Sequence, residues 1–470
     1  MTDSQLRVYS TLSRKTEPFE TIEPGVVRMY VCGVTPYASA HIGHGMSVIV
    51  FDMIRRYLEH RGYEVRHVQN FTDIDDKIIL RANREGIPAS ELTETLIEHW
   101  HKETGALNVL PATVYPQATL EIPEIVAMIS GLIENGHAYQ QDGDVYFRVR
   151  SFKDYGKLSR RSVDEMISGA RIEIDERKED PLDFALWKSA KPGEPHWPSP
   201  WSDGRPGWHI ECSAMCSHHL AGVVDIHGGG TDLIFPHHEN EIAQSEAFLG
   251  RAPFARYWMH NGLLQLGGDK MSKSIGNIVS IQELLERDLG DAFRLMVLQS
   301  HYRSPLTYTE ESLIATQRGL ERLRGAATAI AQTAAEGDAS VASELEMATR
   351  AASRLFHEAM DDDFDSPRAI AALFDLGRAI NRARDAGSDS TSIGNAQSTL
   401  IELGGILGLR LAVAPTSVGE AEPFIDLLVY VRDELRAAKQ WALADQIRHA
   451  LAERGIDIAD GPQASTWRKA

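Results

Sequence analysis

Residues 26–45 read Val26-Val27-Arg28-Met29-Tyr30-Val31-Cys32-Gly33-Val34-Thr35-Pro36-Tyr37-Ala38-Ser39-Ala40-His41-Ile42-Gly43-His44-Gly45. A run with the composition of a buried strand, Val26 to Cys32, apolar but for Arg28, enters a Gly/Thr/Pro turn and then opens an amphipathic helix near Gly45. A second strand-like run, 63–70, follows the helix expected at 45–60, so the segment predicts a βαβ unit in a parallel sheet. A later pair, Val223 to His227 and Tyr257 to Leu266, has the same composition, and each run ends in a glycine-rich turn. Ligands of open parallel sheets bind beyond the carboxyl ends of the strands, which is where these turns fall.

His41 and His44 lie where strand passes into helix. Backbone amides, the helix dipole and small residues suit such a place to phosphate. Lys270 and Lys273, in Lys270-Met271-Ser272-Lys273-Ser274, add mobile positive charge in a loop loosened by Gly267, Gly268 and Gly276. Cys32, Cys212, His237 and Glu241 offer thiolate, imidazole and carboxylate, a donor set that suits zinc. His237 and Glu241 are spaced i, i+4 for one side of a helix. A four-ligand protein set on its own reads as a closed structural site. Cys32, however, stands nine residues before His41, which puts such a metal beside the nucleotide pocket. Two competitors remain: Cys216 forms a CxxxC pair with Cys212, and His238 adjoins His237. His218 and His219 have no partner at ligand spacing and read as surface or packing residues.

The chain has 470 residues, 43% of them hydrophobic, enough for a large core and two to four domains. It does not open with a secretory-type segment, and no apolar run approaches the roughly 20 residues of a membrane helix, so a cytoplasmic protein without a membrane partner is expected. Three cysteines cannot build a disulfide framework and agree with metal binding or chemistry in a reducing compartment. A net charge of −19 opposes nucleic acid at long range, yet local basic faces can offset it. The candidate face is Arg432, Arg436 and Lys439, followed by Arg448, Arg454 and Trp467-Arg468-Lys469, and it reads equally as a solvated helix side.

An insertion, 105–205, separates the two strand sets, with a charged stretch from Arg171 to Asp180 and a Trp/Pro-rich run from Trp187 to Trp208. Trp187, Trp197 and Trp201 read as packing residues rather than as an RNA-holding surface. Helical periodicity follows, from Glu311 to Gln332, Ser343 to Asp361 and Ser366 to Ala386, with polar linkers at 333–342, 386–394 and 412–423.

The motif His41-Ile42-Gly43-His44 followed by Lys270-Met271-Ser272-Lys273-Ser274 resembles the signature of class I aminoacyl-tRNA synthetases. Tyr30 to Tyr37, Gly207-Trp208-His209-Ile210-Glu211-Cys212-Ser213-Ala214-Met215 and Phe235-Pro236-His237-His238-Glu239-Asn240-Glu241 resemble the cysteinyl-tRNA synthetase family, over nearly all of the chain. The resemblance implies an α/β architecture: a Rossmann-like parallel-sheet catalytic domain (1–104 and 206–309) with an inserted connective domain (105–205), then an α-helical bundle (310–411) and a small anticodon-binding unit (424–470). It implies ATP-dependent activation of L-cysteine to cysteinyl-adenylate and transfer to tRNA(Cys), by attack of the 2′-hydroxyl of the terminal adenosine on the adenylate. His41, His44, Lys270 and Lys273 are then the catalytic and ATP-binding groups, with Gly229 and Asp232 on adenosine. Thr72, Trp208 and His227 wall the cysteine pocket. One Zn2+ per chain, on Cys32, Cys212, His237 and Glu241, would accept the substrate thiolate and reject serine, and Mg2+ would accompany ATP. The insertion, at the bottom of the typical domain size of about 100–150 residues, reads as too short for a separate editing domain, so discrimination is expected to fall to the synthetic site. A monomer is expected, since no dimerisation stripe is evident. Two rivals stand beside this reading. A cysteine ligase acting on an amino sugar, of the mycothiol-pathway type, would share the catalytic half but not the C-terminal unit. A zinc-stabilised nucleic-acid-binding protein without catalysis would not need both phosphate motifs.

Overall fold

Four parallel strands form the central sheet in the order Ala255–Asn261, Val224–Gly230, Val26–Val34, Glu64–Phe71. The structure is a computed structural model that describes residues 5–163, 165–166, 177–267, 269–270, 279–328, 338–412, 422–461 and 465–469. Apart from the half-buried Arg28, Val26–Val34 is buried on both faces through Val31, as a central parallel strand should be. The helix Ile42–His60 carries the chain from it to Glu64–Phe71, so the expected βαβ unit is present. On the other side, helix Glu239–Leu249 links Val224–Gly230 to Ala255–Asn261. The two inner strands thus send their crossovers in opposite directions, and a crevice opens between their carboxyl ends.

The run expected as one strand from Tyr257 to Leu266 is two strands. Ala255–Asn261 ends the central sheet, and Leu264–Leu266 pairs instead with Leu306–Tyr308 and Asp269–Lys270. Gly262 makes the step: its amide donates to the Tyr302 carbonyl, and a Cβ there would lie 2.1 Å from the Ser304 carbonyl oxygen.

Between the strand sets, helix Ile122–Glu134 packs with an antiparallel sheet of Ala138–Gln141, Asp144–Phe147, Phe184–Ser189 and Gly204–Pro206. Trp187 is fully buried in the core of this insertion and Trp197 and Trp201 pack against it, as the packing reading expects. Of the charged stretch, residues 171–176 lie outside the described residues. Glu179 and Asp180 pair with Arg148 and Arg150.

The helical region contains Glu310–Ala327, Ala339–Met360, Ser366–Asp385 and Ser390–Ile406. The last begins inside the segment read as a linker over 386–394. Asp389 is an N-cap there, its carboxylate accepting from the Ser392 amide, so residues of turn composition start a helix. One apolar core runs from the sheet through helix Gly290–Leu298 into this bundle. Within it the fully buried Arg294 pairs with Asp52 and donates to the carbonyls of Leu107 and Leu407.

Contacts separate a unit ending at Leu411 from one beginning at Ala412. The latter holds helices Glu422–Ala437 and Trp441–Ala452 and the hairpin Ile456–Ala459 with Thr466–Lys469, around Ile425, Val429, Leu451 and Ile458. Among the described residues, no helix is long and apolar enough to cross a membrane.

Candidate active site

The strand Val26–Val34 changes register against Glu64–Phe71 between Val31 and Val34, so Cys32 and Gly33 leave the ladder. A bulge of this kind re-aims a side chain. Gly33 is what permits it: a Cβ at this position would lie 1.6 Å from the Asn70 carbonyl oxygen. Cys32 Sγ then stands 3.9 Å from Cys212 Sγ, on helix Trp208–Leu220, and 3.3 Å from Glu241 Oε1. His237 lies in a wide turn, Ile234–His238, that runs into the helix carrying Glu241, and its Nε2 is 3.1 Å from Glu241 Oε1. The ligand atoms of Cys32, Cys212, His237 and Glu241 all fall within 4.8 Å of one another. Two sulfurs, a ring nitrogen and a carboxylate oxygen at that spacing fit a tetrahedral zinc ion.

The cluster is held from behind. His227 Nε2 and Glu241 Oε2 are 2.8 Å apart, and the His227 ring stacks on Trp258. His209 Nδ1 lies 2.9 Å from His237 Nδ1, and Trp208 stacks on the His237 ring at 4.3 Å. His238 forms a second, overlapping group with Cys32 and His227, its Nε2 at 3.3 Å from Cys32 Sγ and its Nδ1 at 2.8 Å from His260 Nε2. Cys216 is buried but belongs to neither group.

Burial penalises the Glu241 carboxylate, yet His227 and His237 outweigh it and hold its pKa well below the usual range. Burial likewise opposes the His237 imidazolium, but Glu241 and Cys212 raise its pKa to about 10. The Cys32 thiol, by hydrogen bonding, and His237 lower Cys212 to about 6 against the effect of burial, while burial and Cys212 push Cys32 up. One proton on His237 therefore faces two negative groups and leaves a negative excess, which a divalent cation in its place can neutralise.

His41 is the N-cap of helix Ile42–His60. Its Nδ1 accepts from the amides of Gly43 (3.1 Å) and His44 (3.4 Å), and His44 Nδ1 accepts from the His41 amide at 3.3 Å. The rings stack with centroids 3.7 Å apart. A ring nitrogen that accepts from an amide carries no proton, so both imidazoles hold theirs on Nε2, the donating tautomer. The first helix amides are thus occupied by the histidine caps. The expected bare amide nest is replaced by a pair of rings.

Both histidines line a cleft of ≈ 390 Å³ at the carboxyl ends of the inner strands, together with Cys32, Trp208 and Asp232. Thr72, Gly229 and His227 do not line it: Thr72 and His227 are buried, and Gly229 lies against His238. Cys32 alone of the four-donor cluster lines the cleft among the described residues, so the cluster meets the cleft through Cys32 and its buried donors lie behind the wall. Lys273, Gly268, Gly276 and the side chain of Lys270 lie outside the described residues. The motif opens on a strand, where Lys270 pairs with Gln265, and beyond it Ser280 forms a bridge with His41.

Several residues at the site had no sequence signal of their own. His209 and His260 carry neither ligand spacing nor a recognisable partner in the sequence. Lys77 is the one lysine or arginine lining the cleft among the described residues, with Nζ 5.2 Å from the Tyr37 ring centroid. Its sequence context, Asp75-Asp76-Lys77, reads only as a helix start.

The family model described as "tRNA synthetases class I (C) catalytic domain" matches residues 18–318, and a DALR domain matches 355–412. The cysteine–tRNA ligase of Dehalococcoides mccartyi is 53% identical over 464 residues, covering 98% of this chain and 99% of the relative. That of Heliobacterium modesticaldum is 50% identical over 479 residues, covering 99% and 100%. The chain belongs to the cysteine–tRNA ligase family. A class I fold is borne out independently by Mycobacterium tuberculosis methionyl-tRNA synthetase with methionyl-adenylate, at TM-score 0.59 and 17% identity over 86% of this chain and 94% of that one. For a member of the family, the match along both chains includes the C-terminal unit, the region where an amino-sugar ligase was expected to differ.

Proposed function

We propose that this chain activates L-cysteine with ATP and transfers it to tRNA(Cys), as the names of its relatives describe. The observation that carries the reading is that Cys32 and the His41–His44 pair share one cleft at the crossover point of the sheet. A thiol-selecting centre and a phosphate-handling centre then act on two ends of one small substrate.

The cysteine carboxylate attacks the α-phosphorus of ATP and pyrophosphate leaves. No general base is required, because the carboxylate is already ionised. Negative charge grows on the phosphate oxygens. The Nε2–H groups of His41 and His44 are donors fixed in advance by their backbone bonds, so they stabilise that charge without reorganising. Lys270 and Lys273 are assigned to the triphosphate, Mg2+ to its charge, and Asp232 to the ribose hydroxyls. Zinc bound by Cys32, Cys212, His237 and Glu241 would supply a soft Lewis acid that favours a thiolate over a serine hydroxyl. Trp208 and His209 orient His237, and His227 orients Glu241. Thr72 and Gly229 remain assigned to the cysteine pocket and adenosine side from behind the lining residues. The terminal ribose 2′-hydroxyl of the tRNA then displaces AMP. A cytoplasmic monomer with residues 424–470 on the anticodon completes the proposal.

The deciding experiment is transfer of labelled cysteine to total tRNA, with serine in parallel. Label on tRNA from cysteine alone is the expected result. Adenylate formation without charging would return the amino-sugar acceptor to consideration.

A further inference from the structure

Glu121, His218 and His219 converge at the end of the Cys212 helix remote from its start. The two histidines occupy the last turn of Trp208–Leu220, and Glu121 immediately precedes Ile122–Glu134. His218 Nδ1 lies 2.6 Å from Glu121 Oε2, and His219 Nε2 lies 2.8 Å from Glu121 Oε1. All three ligand atoms fall within 4.8 Å of one another. The site is graded in depth, with side-chain exposures of 10% for Glu121, 21% for His219 and 48% for His218. An anionic oxygen pair therefore sits inside, and one imidazole edge faces solvent as a path of entry. Two further features favour a cation: the helix carboxyl end carries the negative pole of the dipole, and Glu124 adds negative charge beside His218.

We propose that Glu121, His218 and His219 form a second divalent metal site in this chain, one that takes a late first-row ion such as zinc, cobalt(II) or nickel(II). Two imidazoles and one carboxylate suit these ions, whereas magnesium and calcium favour sites made of oxygen alone. Three protein ligands leave the remaining coordination to water. The ligands come from two helices, so the ion clips the end of the Cys212 helix to the insertion helix and stabilises their packing. The site takes no part in the chemistry, and the inference does not depend on the proposed reaction.

The alternative is a plain ion pair of one carboxylate with two imidazoles, which binds no metal. Equilibrium dialysis of the full-length holoprotein against micromolar Zn2+, with metal counted per chain, separates the two. Wild type is expected to hold one equivalent more than a His218→Ala/His219→Ala variant. Glu121→Gln should weaken that equivalent roughly ten-fold or more, and cysteine-dependent pyrophosphate exchange should be unchanged in both. Added Zn2+ should raise the melting temperature of wild type and not that of the single variant His218→Gln, which preserves volume and polarity. Equal metal counts in wild type and the double variant across the micromolar range would overturn the proposal. So would an equal zinc-induced rise in melting temperature for wild type and His218→Gln.

Discussion

The Cys32 cluster and the C-terminal helix Glu422–Ala437 were both read from side chains at helical or motif spacing, and they meet opposite fates. In the cluster the four donors come together from four separate elements, and each keeps its ligand atom turned toward the others. On the helix, the expected basic face is spent inside its own unit. Arg432 is fully buried, and Arg432, Arg436 and Arg448 all pair with Asp460. The difference is chemical. Thiols, an imidazole and a carboxylate assembled in a buried place have few alternative partners, whereas an arginine accepts any carboxylate the fold brings near. Asp460 lies beyond the second helix, and no periodicity on the first reveals it.

The sharpest way to break this contrast is to remove a donor. Cys32→Ser should lower zinc content and reduce cysteine-dependent pyrophosphate exchange by about 10³-fold or more, the scale on which a site built around one required bond rejects its loss. Metal analysis and exchange on the same preparation check it. A zinc-free Cys32→Ser protein with normal exchange would sink the assignment.

Next in size is the histidine pair. His44→Ala removes one Nε2–H donor and should slow activation by roughly 10²-fold, the usual effect of losing one preorganised donor, with zinc content unchanged. Single-turnover adenylate formation measures it. His41→Ala should add a loss of about 1 kcal/mol in stability, because it also uncaps the helix. Equal melting temperatures for the two variants would show that the cap contributes nothing.

What was legible follows the same division. The parallel sheet was readable because Val26 to Val31 is an apolar run broken only by Arg28 and the crossover has helix length. The break at Gly262 was not, since a close approach to Ser304, forty-two residues later in the chain, decides it. The helix Ser390–Ile406 was partly hidden because Asp389 looks like linker and acts as a cap. Zinc-type donors could be picked out by residue type. His209 and His260, which bond to other histidines, could not, because each has meaning only beside a partner from another element. The same is true of Asp52 and Arg294, a buried pair joining the His41 helix to the helix Gly290–Leu298. Asp52→Ala should destabilise the larger unit by about 3–5 kcal/mol in denaturant unfolding, since it leaves a buried guanidinium without its counter-charge.

A smaller effect separates buried histidines from paired ones by pH. Burial, with Arg55 nearby, lowers the pKa of His67 to about 3. Its unfolded value is near 6.5. The folded state therefore binds fewer protons between the two values, and stability falls as pH drops through that window. His67→Phe should flatten the acid limb of stability between about pH 6 and pH 4. An unchanged slope would assign acid sensitivity elsewhere, for example to His260, which burial also lowers to about 3.

The smallest effect tests the C-terminal side of the contrast. Asp460 is partly exposed, and its pKa is held down by Arg432 first, with Arg436 adding to the effect. Partly exposed ion pairs contribute little individually, so Asp460→Asn should cost only about 1 kcal/mol, read by hydrogen exchange in 422–461. Arg454→Ala, where the arginine donates to the Ala450 carbonyl of the preceding helix, should cost less. The informative measurement is RNA affinity against salt. If Asp460 holds the three arginines inside the fold, its neutralisation should release positive charge and steepen the salt dependence of binding. If affinity and slope stay the same while stability falls, the arginines serve the unit's own packing and add nothing to RNA binding.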